Sequence, residues 1–169
     1  SDSDAVSATI SNSDPVVITA AEINGSPITT STLTCSAAFE DLNDGPLSAS
    51  YTWTNQEGDV LSTADTYTVI ASETDTGNVL TCIASAVDTE GVSIESSTSV
   101  VIENTAPTIS SVSLNTTIPT SQESLTCTVD SADDIDEDPI SYTYVWTVDS
   151  QPQSETTSEF AAPHQVGSL

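Results

Sequence analysis

Between residues 16 and 102 the chain reads as short runs of alternating apolar and polar positions, broken by turn residues. Residues 16–23, 30–39, 48–54, 66–71, 79–87 and 92–102 are the predicted strands, since period-two alternation over four to eight residues marks a half-buried strand. Within them Tyr51 and Trp53 fall on one face, with Thr52 and Thr54 on the other. Leu33 with Cys35, and Leu80 with Cys82, point inward together on the same rule. Nothing sustains a 3.6-residue period, so no helix longer than a turn or two is expected. The expected fold class is all-β.

The pattern repeats, and a repeat governs the architecture. Leu33-Thr34-Cys35 returns as Leu125-Thr126-Cys127, and Tyr51-Thr52-Trp53-Thr54 as Tyr144-Val145-Trp146-Thr147. Asn12-Ser13-Asp14-Pro15 is echoed by Asn104-Thr105-Ala106-Pro107. The three spacings agree to within one residue. Gly77-Asn78-Val79-Leu80 aligns with Gly167-Ser168-Leu169, where the second copy reaches the final residue. The domain reading follows: residues 1–14 are a trailing strand of a preceding repeat or an exchanged strand, 15–104 a complete unit, and 105–169 a partial unit lacking its last strands. The simplest account is a window on a longer tandem array. In the complete unit Cys35 and Cys82 form the pair, while Cys127 has its expected partner just beyond Leu169. Paired cysteines at repeated strand positions imply an oxidising compartment.

Charge then narrows the function. There are 26 Asp and Glu, no Lys or Arg and one His, giving a formal charge of −26. Nucleic acid and anionic membrane surfaces are excluded as partners, because both need cations on the protein. Arg- or Lys-based recognition of phosphate or carboxylate substrates is excluded too. Ser and Thr make up about a third of the chain, and Leu, Ile, Val and Phe about 22%, just above the roughly 20% below which highly charged chains stay disordered. No apolar run approaches the ~18 residues of a membrane span.

Cys35, Trp53 and Cys82 on the second, third and penultimate strands resemble the immunoglobulin-like sandwich, whose tryptophan packs against a disulfide between the sheets. Asp75-Thr76-Gly77-Asn78-Val79-Leu80-Thr81-Cys82 is similar to the Asp-x-Gly-x-Tyr-x-Cys of antibody domains, with Leu80 where the corner tyrosine would stand. The gap of 18 residues from Cys35 to Trp53 lengthens the loop between those strands. That loop is acidic in both copies: Glu40-Asp41-Leu42-Asn43-Asp44-Gly45-Pro46-Leu47 and Asp133-Asp134-Ile135-Asp136-Glu137-Asp138-Pro139-Ile140. An acidic loop leading into Ser-x-Tyr-x-Trp or its near equivalent resembles the repeats of large prokaryotic cell-surface or extracellular filament proteins. Their layout is similar to cadherin-like and polycystic-kidney-disease-type domains, which generally lack the disulfide. The resemblance implies tandem immunoglobulin-like β-sandwiches, the second one incomplete, in an extracellular adhesin, stalk or filament. It also places the acidic loop of the second copy toward Glu103 and Asp75.

Calcium is the one ligand the residues support, because it takes six to eight hard oxygens. Asp134, Asp136 and Asp138 alternate so that a curling loop can turn three carboxylates to one ion; Glu103 is a further candidate, and Asp41, Asn43 and Asp44 form a thinner version. The competing reading is a solvated acidic surface. Catalysis has little to build on: His164 is the sole imidazole, and both Trp are assigned to the core. Two sequons, at Asn24 and Asn115, stand at equivalent strand ends and are candidate glycosylation sites, the first weakened by Pro27. The expected function is a non-enzymatic structural or adhesive spacer or filament shaft, its partners neighbouring repeats or identical chains end to end. The alternative is a carbohydrate- or protein-binding accessory module of a secreted enzyme. That would need an exposed aromatic patch, for which Tyr142 and Phe160 are the candidates.

Overall fold

Alternation decides which faces are buried in the first unit. The computed structural model describes residues 6–9 and 11–163, which divide between two compact units, meeting in sequence at Asn104 and Thr105. No helix occurs among the described residues, and the fold is all-β with several antiparallel sheets. The first unit contains β1 (Val16–Asn24), β2 (Thr32–Asp41), β3 (Gly45–Leu47), β4 (Ser50–Thr54), β5 (Val60–Ser62), β6 (Thr66–Thr68), β7 (Val79–Val87) and β8 (Ser93–Val101). One sheet has the order β1-β2-β3, with β6 also paired to β2; the other runs β5-β4-β7-β8. This arrangement is sandwich-like and compatible with an immunoglobulin-like fold.

The inward residues of β2, Leu33, Cys35 and Phe39, are buried, and so are Leu80, Cys82, Ala84 and Ala86 of β7. A Cys35–Cys82 disulfide joins the two sheets, with Cα atoms 6.4 Å apart. Around it pack Leu33, Trp53, Tyr67, Val69, Leu80 and Ile102. Trp53 is opposite Cys82 in the β4–β7 ladder and fully buried. Its indole N–H donates to the carbonyl of Ala64 at 3.1 Å, giving the buried polar atom a partner. Strand β1 reaches both sheets: it pairs with β2 through two register shifts, and the Ala21 N–H donates to Ser96 Oγ on β8. After β1 the chain turns at Gly25, with φ +123°. A Cβ there would meet Leu33 Cδ2 at 2.9 Å and the Thr32 carbonyl at 3.0 Å, so the turn folds over the core only with glycine.

The second unit reuses half of this frame. It contains β9 (Thr108–Leu114), β10 (Leu125–Asp133), β11 (Thr147–Val148), β12 (Gln151–Pro152) and β13 (Glu159–Phe160). Strand β10 lies between β9 and β13, and β11 and β12 form a separate hairpin. The equivalences to the first unit are detailed. Cys127 faces Leu114 across the β9–β10 ladder as Cys35 faces Ile23. The Cys35 N–H donates to the Asp65 carbonyl and the Cys127 N–H to the Ser158 carbonyl, both at 2.8 Å. Trp146 Nε1–H donates to the Thr157 carbonyl, eleven residues on, as Trp53 does to Ala64. Trp146 stacks on Phe160 with centroids 5.4 Å apart, where Trp53 lies 5.9 Å from Tyr67.

Three expectations are adjusted. The acidic stretch between β2 and β4 is largely a hairpin: Glu40 and Asp41 pair with Pro46 and Gly45, leaving a turn of three residues. The strand expected at 66–71 stops at Thr68, because Ile70 accepts from the N–H groups of Glu73 and Thr74 and the chain turns. Residues 144–146, matched in sequence to β4, form no strand. Strand β4 exists by pairing along its length with β7, and no described residue supplies that neighbour in the second unit. The trailing strand proposed within 1–14 falls partly on residues 1–5 and 10, outside the described set; residues 6–9 and 11–14 carry no strand. His164 and the Gly167-Ser168-Leu169 match also lie outside the described residues.

Candidate metal centre

Both acidic turns are organised by an Asp that accepts from its own loop. In the first unit Asp41 is 1% exposed. Its Oδ1 accepts the N–H groups of Asn43 at 2.6 Å and Asp44 at 3.0 Å, an Asx-type turn that folds the loop back into β3. Asp41 Oδ2 is buried without a hydrogen-bond partner among the described residues. Asp44 reaches the β7–β8 connection, accepting from the Thr89 N–H at 2.8 Å and the Thr89 hydroxyl at 3.0 Å.

In the second unit Asp134 Oδ1 accepts the Asp136 N–H at 2.9 Å, and the Asp134 carbonyl accepts the Glu137 N–H. Glu137 takes a left-handed conformation at φ +63°, and the turn brings the next carboxylate round. Carboxylate oxygens of Asp134, Asp136 and Asp138 all lie within 4.8 Å of one another, with Asp136 only 5% exposed. Among the described residues this is the single group of three metal-ligating side chains that converge. Asp136 Oδ2 also accepts the N–H of Thr105, the first residue of the unit. In the first unit the corresponding grip is the Ser13 N–H on Asn43 Oδ1, at 2.9 Å.

Like charges this close repel by about 1 kcal/mol per pair at 4 Å in water, and more as water is excluded. With no Lys or Arg in the chain, no intrachain cationic side chain of that kind can relieve the repulsion. Three hard anionic oxygens within one ion's reach, plus turn carbonyls and water, are the chemistry that suits calcium. The other predicted ligands, Asp41, Asp44 and Glu103, with Asp75, belong to the first unit. Glu103 belongs to the first unit, where its N–H donates to the Pro27 carbonyl at 2.8 Å. Asp75, in the same unit, accepts the Thr76 N–H. Asp41 and Asp44 share one turn, but Asp44 is committed to Thr89.

One organising residue of the first unit's polar end escaped the sequence reading. Asp88 Oδ1 accepts the Val92 N–H at 2.7 Å, and its Oδ2 accepts from Asn12 Nδ2 at 2.8 Å. Burial alone would raise its pKa; the hydrogen bonds from Asn12 and from the N–H groups of Val92, Glu90 and Gly91 outweigh this and hold it below 3.8. The local signal was Asp88-Thr89-Glu90-Gly91, a turn signature between two apolar runs.

Of the sequon residues, Asn24 and Asn115 are both exposed at strand ends. Asn115 is engaged on both sides, its Nδ2 donating to the Ser124 carbonyl and its Oδ1 accepting the Thr126 N–H. Of the candidate surface aromatics, Tyr142 is exposed, but Phe160 is buried against Trp146 and is no part of an exposed patch. The Cys35–Cys82 bond is compatible with an extracellular setting. No described helix is long and apolar enough to cross a membrane. Comparison with protein-family models, curated proteins and solved structures finds no match to this chain.

Proposed function

We propose that this chain is a run of tandem immunoglobulin-like units, the second one partial, from a non-enzymatic extracellular protein that serves as the spacer or shaft of a surface appendage. The observation that carries this reading is the double use of one frame. The same indole-to-carbonyl bond, aromatic pair and cysteine N–H bond recur in both units, about 92 residues apart. A chain that repeats a framework, and whose acidic turns repeat as ties on the segment leading into each unit, is suited to spanning distance. Calcium held by Asp134, Asp136 and Asp138 would neutralise the convergent charge and fix the turn that grips Thr105. The test is immunogold labelling of intact producing cells with antibody to the whole chain. Gold along surface filaments or the outer envelope is the expected result; gold confined to the cytoplasm would overturn the reading.

A further inference from the structure

We propose that a calcium ion binds at the polar end of the first unit, held by Asp41 from one sheet and Asp88 from the other. Amide oxygens and water complete its shell. Alternation brings the two carboxylates to the same end of the core. On β2 the inward positions Leu33, Cys35 and Phe39 are followed by Asp41, which is 1% exposed. On β7 the inward run of Leu80, Cys82, Ala84 and Ala86 is followed by Asp88, which is 6% exposed. Phe39 and Ala86 belong to one core cluster. Each sheet therefore ends its buried stripe on an acid at the same pole.

Hydrogen bonds close this pole into a ring. Asp41 Oδ1 accepts the N–H groups of Asn43 and Asp44. Asn43 Oδ1 accepts the N–H of Ser13, whose neighbour Asn12 donates to Asp88 Oδ2. Thr89, next to Asp88, donates to both oxygens of Asp44, which returns the circuit to Asp41. Asp88 Oδ1 is taken by the Val92 N–H. Both oxygens of Asp44 and of Asp88, and Oδ1 of Asp41, thus accept hydrogen bonds. Asp41 Oδ2 is buried and accepts none among the described residues.

A buried carboxylate oxygen without a donor is costly, and neighbouring acids add repulsion. A proton, a water or a cation can satisfy it, and charge favours the cation. Three acids share the ring, and the chain has no Lys or Arg to send there. The hydrogen bonds to Asp88 favour its charged form as well. Carboxylates, the Asn12 and Asn43 amide oxygens and water are all hard donors, and calcium tolerates such a mixed, irregular shell. Magnesium demands a tighter octahedron and gives up its water reluctantly. The ion would tie the β2–β3 hairpin, the β7–β8 turn and the segment entering β1 to one centre. This site is separate from Asp134, Asp136 and Asp138, so its failure would leave that triad and the immunogold result intact.

The test follows the backbone amide NMR signals of the isotope-labelled full chain. Calcium chloride is titrated beside magnesium chloride and sodium chloride at matched ionic strength. Expected is a saturable shift of the Ser13, Asn43, Asp44 and Val92 signals, with a midpoint on the order of 0.1–1 mM calcium. Magnesium should act on the order of tenfold more weakly. Asp41→Asn keeps an oxygen for the Asn43 and Asp44 N–H groups but removes the charge. It should weaken this response on the order of tenfold or more, since affinity follows the count of charged ligands. The Thr105 and Glu137 signals of the second unit should respond as in the parent. Asp88→Asn, which can still accept from Val92, should weaken the response likewise, and it decides the matter if Asp41→Asn loses its dispersed β7 signals and is unfolded. First-unit signals that ignore calcium, or that follow magnesium or sodium equally, would overturn the proposal and leave the buried oxygen to a proton or a water. A calcium response that either folded variant keeps at full strength would overturn it too.

Discussion

Tyr67 illustrates how one residue serves the core and carries a pH limit. It is 5% exposed, faces Trp53, and donates its hydroxyl to Glu73 Oε2 at 3.0 Å. Burial, then the hydrogen bond and charge of Glu73, push its pKa up from 10.0 to about 12. The neutral phenol is therefore favoured in the folded state. Its contribution is complete below pH 10.0, where the unfolded chain begins to ionise, and is lost as pH rises toward about 12. Urea unfolding across that range should show a fall in stability that Tyr67→Phe removes. A parent and variant that fall in parallel would place the alkaline sensitivity elsewhere. At this scale Cys35 and Trp53 were legible in the sequence because they repeat as Cys127 and Trp146, and Cys82 because the run leading to it is similar to that of antibody domains. Asp88 was not, since its meaning depends on Asn12, 76 residues away.

Strands gain or lose definition according to what pairs beside them. Strand β7 alternates buried Leu80, Cys82, Ala84 and Ala86 with half-buried or exposed positions, flanked by β4 and β8, and its period was readable directly. Strands β3 and β5, three residues each, were too short to show a period and exist as hairpin partners of β2 and β4. Residues 144–146 carry strand-forming side chains, but no described residue takes the place that β7 holds beside β4. Local preference therefore loses to missing pairing. The same logic ranks two equivalent positions. Leu33 is fully buried on β2, whereas its repeat partner Leu125 on β10 is half-buried. Leu33→Ala should cost about 2–5 kcal/mol. Leu125→Ala should cost less than half as much, measured on the full chain by denaturant unfolding. Equal losses would mean that β10 is as well covered as β2.

Across the whole molecule, charge is the term the fold does least to settle internally. The formal charge is −26 at pH 7 and no Lys or Arg is present, so self-repulsion opposes compactness. The sequence made the triad visible through its alternating acids. It did not reveal that Asp136 would be buried while holding the Thr105 N–H, because that depends on how the turn closes on the start of its own unit. The three converging carboxylates make the second unit the place where a divalent ion should matter most. In calorimetry, millimolar calcium should raise the Tm relative to chelator at matched ionic strength, which separates coordination from screening. Asp136→Asn supplies the sharper contrast. An amide oxygen can still accept from Thr105, so the turn is kept while one of three charges is removed. The variant should therefore be at least as stable as the parent in chelator, where repulsion is eased, and gain less from calcium. Should parent and variant respond alike to calcium, or should sodium chloride reproduce the whole shift, the triad is a solvated acidic turn and the ion has no site there.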